Sequence, residues 1–165
     1  MNEIRPKLKI PKTLLENILD IALISLFITA AGSLVMQWSS IPDTVPTHFN
    51  AAGEPDGWGN KINLWILLGI GLMTWILLTV VEKYPHIYNY FNLTEENAER
   101  QYKNARLMLN MIKNEMLLFF VFMSWVSGGV AKGTQKGLGV WILPIFIIGI
   151  TGTIAFFIVR SIKLK

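Results

Sequence analysis

The chain has 165 residues, of which 52% are hydrophobic and only 16% are charged, and its mean hydropathy is +0.44. This composition excludes an ordinary water-soluble domain, because one small core cannot bury so many apolar side chains. Its net charge of +4 comes from basic residues beside the apolar runs rather than on a separate domain, so we predict no nucleic-acid partner. Cysteine is absent, which excludes disulfides and thiolate chemistry.

Four apolar runs follow one another along the chain, each close to the ~20 residues that a helix needs to cross a bilayer. The first is too long for a signal-peptide core and is interpreted as a retained helix. We therefore predict an all-α integral membrane protein, a single domain over residues 1–165 built as a four-helix transmembrane bundle. The predicted spans are 18–38, 62–81, 107–127 and 140–159, with an outer loop at 39–61 and a cytoplasmic loop at 82–106.

Lysine and arginine orient the chain, since these residues are retained on the cytoplasmic side of a membrane. Eleven of the 15 lie in the N-terminal segment, the second loop with the start of helix three, and the C-terminal segment; Lys61, Lys132 and Lys136 lie on the other side. The remaining Lys113 falls inside the third span. We expect both termini in the cytoplasm and the loop 39–61 outside. The predicted location is a bacterial cytoplasmic membrane, which the chain crosses several times, and the lipid bilayer is therefore a predicted partner.

Helix three carries charge into the membrane. No proline or glycine occurs between Thr94 and Gly128, so we predict one long rod that begins in the cytosol. In one interpretation, Lys113 extends to the headgroups and Glu115 pairs with a neighbour. In the other, Asp20, Lys113 and Glu115 line a path for a proton or small ion, although few polar residues lie deeper in the spans. Its predicted polar face comprises Lys103, Arg106, Asn110, Lys113 and Asn114.

The outer loop is rich in turn-forming residues between Ile41 and Lys61. Three prolines restrict φ and three glycines permit positive φ, which excludes a helix and favours an ordered loop. The segment from Glu54 to Gly57 has proline second and glycine fourth, which predicts a type I turn there.

The same loop resembles a known family. Its residues Pro42 to Lys61 follow the pattern Pro-Asp-x-x-Pro-Thr-His-Phe-Asn-x-x-Gly-x-Pro-Asp-Gly-Trp-Gly-x-Lys between two hydrophobic helices. This is similar to the signature of bacterial membrane proteins with the domain of unknown function 1648, over roughly residues 15 to 82. The resemblance implies a relation to the SdpI-like immunity and signalling proteins. Those proteins have a further membrane domain, for which a chain with four spans has no room.

Several loop side chains could bind a ligand or a metal. His48, Asp43 and Asp56 could hold zinc or manganese, but their spacing matches no metal motif and one histidine is few. The alternative is that the carboxylates and Asn50 bond to turn backbone. No nucleophile accompanies His48, and His86 is predicted to lie across the membrane, so we predict no enzyme.

The leading functional prediction is binding through the outer loop, of a secreted peptide, a lipid headgroup or a partner protein. Peptide immunity or signalling, with a cytoplasmic regulator as a second partner, is the role that the resemblance implies. No cofactor is predicted, and the oligomeric state is left open. The alternative is a metal-dependent membrane enzyme or a small transporter subunit using His48, Asp43 and Asp56. The predicted ligand-binding residues are Pro42, Asp43, Pro46, His48, Asn50, Gly53, Asp56, Trp58 and Lys61.

Overall fold

Four long helices dominate the computed structural model, which describes residues 5–164. All four are long and apolar enough to cross a membrane, which confirms the predicted multi-pass helical architecture. Lys165, counted above among the cytoplasmic cations, lies outside the described residues, as do residues 1–4. The helices are α1 (Leu14–Gln37), α2 (Asn63–Val81), α3 (Ala98–Ala131) and α4 (Ile142–Lys163).

Two helices begin earlier than the apolar runs predicted. Helix α1 begins at Leu14 because Thr13 forms a capping box with Glu16: the Thr13 amide donates to Glu16 Oε2 over 2.6 Å, and Thr13 Oγ1 accepts from the Glu16 amide over 3.3 Å. Helix α3 begins at Ala98 and runs unbroken to Ala131, which confirms the predicted long helix, so the last nine residues of the predicted loop 82–106 are helical. Polar helical turns extend an apolar span into water without adding hydrophobicity, so a count of apolar residues misses them.

Helix α3 is the centre of the fold. Helices α1, α2 and α4 each pack against it, with α2 in the most extensive contact. Most of the buried polar side chains lie on α3, whereas α4 buries only Phe157. Helices α1, α2 and α4 therefore expose apolar surface to the lipid, and their polar groups contact α3.

The loop between α1 and α2 contains a structure that the sequence analysis did not foresee. Strands β1 (Thr44–Phe49) and β2 (Pro55–Asn60) form an antiparallel hairpin, with irregular register between Pro46 and Phe49. The predicted turn at Glu54–Gly57 is wrong, because Pro55, Asp56 and Gly57 lie in β2 and the chain reverses earlier, at Asn50–Gly53. Pro55 is tolerated because it begins a strand at the edge of a sheet.

The hairpin is seated on the helices through one face. Val45 and Ile41 join the main core cluster with Leu64 of α2 and Leu117 of α3. At the far end of the hairpin, Phe49 packs in a second cluster with Val126 and Leu138. The hairpin thus covers one end of the helical bundle, which we call the hairpin end; the opposite end, where α1 and α3 begin, is called the polar end.

Candidate functional site

The base of the hairpin is closed by an ion pair. The Lys61 ammonium lies 2.9 Å from Asp43 Oδ1, and the Lys61 amide donates to the Asp43 carbonyl over 2.9 Å. The same ammonium lies 5.0 Å from the centre of the Trp38 ring, a cation–π contact that ties the hairpin to the end of α1. Two of the predicted ligand residues, Asp43 and Lys61, are therefore bound to each other.

The turn of the hairpin is organised by Asn50. Its Oδ1 accepts hydrogen bonds from the amides of Ala52 (2.9 Å) and Glu54 (3.0 Å), and its Nδ2 donates to Glu54 Oε2. Gly53 completes the turn with φ of +76°, a conformation that glycine adopts without strain. Asn50 and Gly53, predicted as ligand residues, thus build the turn, as the alternative interpretation of Asn50 proposed.

The turn is also attached to the loop between α3 and α4. The Leu138 amide donates to the Gly53 carbonyl over 2.8 Å. The backbones approach so closely that a Cβ at Gly137 would lie 2.3 Å from that carbonyl oxygen. The hairpin is therefore held at its base by Asp43 and Lys61 and at its turn by Gly53, which limits its freedom to move.

The outward face of the hairpin carries the accessible predicted residues. His48 Nδ1 lies 2.5 Å from Asp56 Oδ1 across the two strands, and both side chains are exposed. Trp58 is 53% exposed, although its strand partner Pro46 is buried. Pro42, also exposed, lies just before β1. Of the predicted ligand residues, His48, Asp56 and Trp58 are the ones that a partner could reach together.

The three predicted metal ligands are not brought together. His48 and Asp56 are in contact, but Asp43 is held by Lys61 at the base of the hairpin. Within residues 5–164, no group of three or more His, Cys, Asp or Glu side chains has the arrangement to hold a metal ion.

At the polar end, Lys113 lies in a buried ionic cluster. It is fully buried, which overturns the prediction that it extends to the headgroups. Its ammonium lies 2.8 Å from Glu82 Oε1 and 3.1 Å from Asp20, donates to Thr79 Oγ1 over 2.9 Å, and lies 4.6 Å from the centre of the Trp75 ring. Pairing with the nearby carboxylates lowers the free-energy cost of this buried ammonium, so the side chain does not have to extend to the headgroups.

Two asparagines and a second lysine complete the polar cluster, defined here as Lys12, Asp20, Glu82, Asn110, Lys113 and Asn114. Both asparagine amides donate to Asp20 Oδ1 over 2.9 Å, and Lys12 lies 2.5 Å from Asp20 and 3.2 Å from Glu82. Burial acts to lower the pKa of Lys12, but the hydrogen bond to Asp20 and the charges of Glu82 and Asp20 outweigh it and raise that pKa. Two lysines balance two carboxylates, so the cluster has no net charge.

Arg106 forms a second buried ion pair beside this cluster. Its Nε and Nη2 atoms each lie 2.8 Å from one oxygen of Glu16, a bidentate geometry. The same guanidinium donates to the carbonyls of Ile10 and Pro11, which fixes the segment before α1. Glu16 therefore both caps α1 and joins α1 to α3.

Glu115 lies apart from Asp20 and Lys113. Its Oε1 accepts a hydrogen bond from Thr153 Oγ1 of α4 over 2.6 Å, so it pairs with a neighbour as the first interpretation proposed. No hydrogen bond or ion pair joins it to the polar cluster among the residues that the structure describes. The three residues of the predicted proton path do not form a continuous group.

Sequence reasoning found part of the polar cluster and missed the rest. Asn110, Lys113 and Asn114 were placed on one face of α3 by helical periodicity, and that face is the buried one. The sequence analysis did not use the capping signature Thr13-x-x-Glu16, which could have located the start of α1. No local signal indicates that Glu16 also binds Arg106, 90 residues away.

Comparison with known proteins identifies the part of the chain that holds the hairpin. Residues 24–74 match the model of a family described as a domain of unknown function, DUF1648, which confirms the resemblance seen in the loop pattern. The chain is also similar to an uncharacterized protein of Archaeoglobus fulgidus, 29% identical over 133 residues that cover 68% of this chain and 69% of the relative. No solved structure matches. The match to DUF1648 thus lies in the N-terminal part of this multi-pass membrane protein and includes the hairpin.

Proposed function

We propose that this protein binds a secreted, cationic peptide through its hairpin, without catalysis, in the manner of the SdpI-like immunity and signalling proteins. The observation that carries the proposal is a hairpin fixed at both its ends whose outward face exposes an aromatic ring and carboxylates. Such a surface loses little conformational freedom when a partner binds.

The charge and the open edge of the hairpin suit an extended cationic peptide. Residues 42–61 contain Asp43, Glu54 and Asp56 against one lysine, a net charge of −2 with histidine neutral. Among the residues that the structure describes, strand β2 pairs only with β1, so its other edge has backbone groups available to a third strand. Trp58, exposed on β2, is the kind of aromatic side chain that contributes most to binding energy at interfaces.

A survival assay tests the proposal. Cells lacking the gene are challenged with culture medium from the parent strain and complemented with the wild-type protein, Trp58→Ala or Trp141→Ala. Trp141 is a matched control, since it is 71% exposed but lies outside the hairpin. We expect the deletion to sensitise the cells, and the wild type and Trp141→Ala to restore survival, whereas Trp58→Ala fails at equal membrane abundance. A deletion strain as resistant as its parent would refute the immunity role.

The proposal also requires the hairpin to face outward. Because the chain has no cysteine, a single cysteine reports its own accessibility. Ala51→Cys, in the exposed turn, should react with a membrane-impermeant maleimide in intact cells, and Lys163→Cys only after permeabilisation. The opposite labelling pattern would reverse the orientation and exclude a secreted ligand for the hairpin.

A further inference from the structure

A continuous groove runs along the membrane face between α1 and α3, separate from the outward face of the hairpin. It consists of two adjoining cavities of about 290 and 320 Å³. Four residues line both cavities, namely Ala30, Ser33, Val121 and Trp125. A ligand in one cavity could therefore extend directly into the other.

The groove changes from polar to apolar along its length. At the hairpin end its lining includes Gln37, Lys132 and Gln135. Deeper in the membrane it is lined by Leu26, Leu118 and Phe122. Its occupant must therefore be polar at one end and apolar at the other.

The cation at the polar mouth of the groove has no carboxylate partner. The Lys132 ammonium donates to the neutral amide oxygen of Gln37, and no ion pair to Lys132 is present within residues 5–164. Lys61 at the same end of the molecule is neutralised by Asp43. A cation at the membrane interface without a counter-charge attracts an anionic headgroup.

The length of the groove corresponds to one membrane leaflet. Leu118 and Lys132 are 14 positions apart on α3 and its C-cap, which at a helical rise of 1.5 Å gives about 21 Å. One leaflet with its headgroup region is also about 21 Å thick, half of the bilayer. An acyl chain lying along the groove would reach from the interface almost to the membrane midplane.

We propose that this groove binds one anionic phospholipid, with its phosphate at Lys132 and an acyl chain between α1 and α3. A zwitterionic lipid would place its own cation near Lys132. An apolar helix from a second copy would cover the deep part of the groove but supply no anion at its mouth. The lipid has both the required charge and the required polarity gradient.

Quenching of Trp125 by brominated lipids tests the proposal in proteoliposomes. The difference in fluorescence between the wild type and Trp125→Phe isolates this one of the six tryptophans. At equal low mole fraction, brominated phosphatidylglycerol should occupy the groove about fivefold more than brominated phosphatidylcholine, the effect of one lysine beside an anionic lipid. Equal quenching by the two lipids would overturn the proposal.

Substitutions in the groove test separately how its charge and its shape contribute to lipid binding. Lys132→Gln should abolish the preference and Lys132→Arg should retain it; a preference that survives Lys132→Gln would contradict the assignment. Ala30→Leu, which fills the groove where the cavities join, should reduce quenching by both lipids, whereas the lipid-facing control Ile28→Leu should leave it unchanged. High-yield disulfide formation between copies carrying Leu26→Cys would instead assign the groove to a second copy.

Discussion

The two ends of the molecule differ in the burial of their charged residues. At the polar end, Lys113, Glu16 and Arg106 are almost completely buried, and each ion pair is closed by partners from other helices. At the hairpin end, His48 and Asp56 pair with each other but remain exposed. A buried neutral cluster fixes how helices pack, whereas exposed groups on a rigid base are available to a partner.

The family match follows the same division. It covers residues 24–74 and therefore includes the hairpin but none of Asp20, Glu82 or Lys113. The proposed binding surface thus lies within the residues that match the DUF1648 model. The polar cluster lies outside residues 24–74 and joins the start of α1 and the end of α2 to α3, which supplies Lys113 and both asparagines.

The largest expected effect comes from removing the lysine at the centre of the polar cluster. Lys113→Met leaves Asp20 and Glu82 with Lys12 as their one remaining cation, and we expect a loss of about 3 kcal/mol in the free energy of unfolding. Unfolding in mixed detergent micelles, followed by circular dichroism, measures it.

The matched control lies on the same helix. Lys103 pairs with Glu99 on an exposed surface, so Lys103→Met should leave stability almost unchanged. The double variant Lys113→Met with Glu82→Gln, which restores charge balance, should recover part of the loss. Equal effects of Lys103→Met and Lys113→Met would show that the burial of an ion pair does not determine its contribution to stability.

A smaller and more local effect is expected at the hairpin. Gly137→Ala places a methyl group 2.3 Å from the Gly53 carbonyl oxygen, so the turn must separate from the α3–α4 loop. We expect faster amide hydrogen exchange across residues 44–60 and little change in the unfolding of the helices. Gly152→Ala serves as control, because its Cβ meets nothing within 4 Å. Unchanged exchange in Gly137→Ala would mean that this attachment does not hold the hairpin.

The smallest effect concerns the loop between α2 and α3, residues 82–97, which lies at the polar end. Burial raises the pKa of Tyr90 above its ordinary value of 10.0, and the neighbouring phenols of Tyr88 and Tyr102 add to the shift. The neutral phenol is favoured in the fold, so its contribution to stability is complete below pH 10 and declines as the pH rises toward the folded-state pKa.

Tyrosinate absorbance of the wild type minus that of Tyr90→Phe measures this titration. The difference should appear above pH 10 in detergent micelles and near pH 10 in denaturant. The same midpoint in both would show that this loop is open to water, and would weaken the contrast between a closed polar end and an open hairpin end.

The sequence by itself determined the four membrane helices, the polar face of α3 and the family resemblance of the loop. Each of these depends on local composition, periodicity or pattern, which can be read without knowing the distant partners. The capping residues Thr13 and Glu16 belong to the same class of local signal, since a capping box requires only residues three positions apart.

Only the tertiary structure decided where the charges lie and what holds the turn of the hairpin against the helices. Lys113 is buried because Asp20 and Glu82, on two other helices, meet it at one depth. The turn at Asn50–Gly53 is organised locally by Asn50, but it is held in place by the hydrogen bond from Leu138 to Gly53, 85 positions earlier. Such contacts depend on how the helices pack, and the energy of a buried charge or a turn is set by partners that local sequence does not contain.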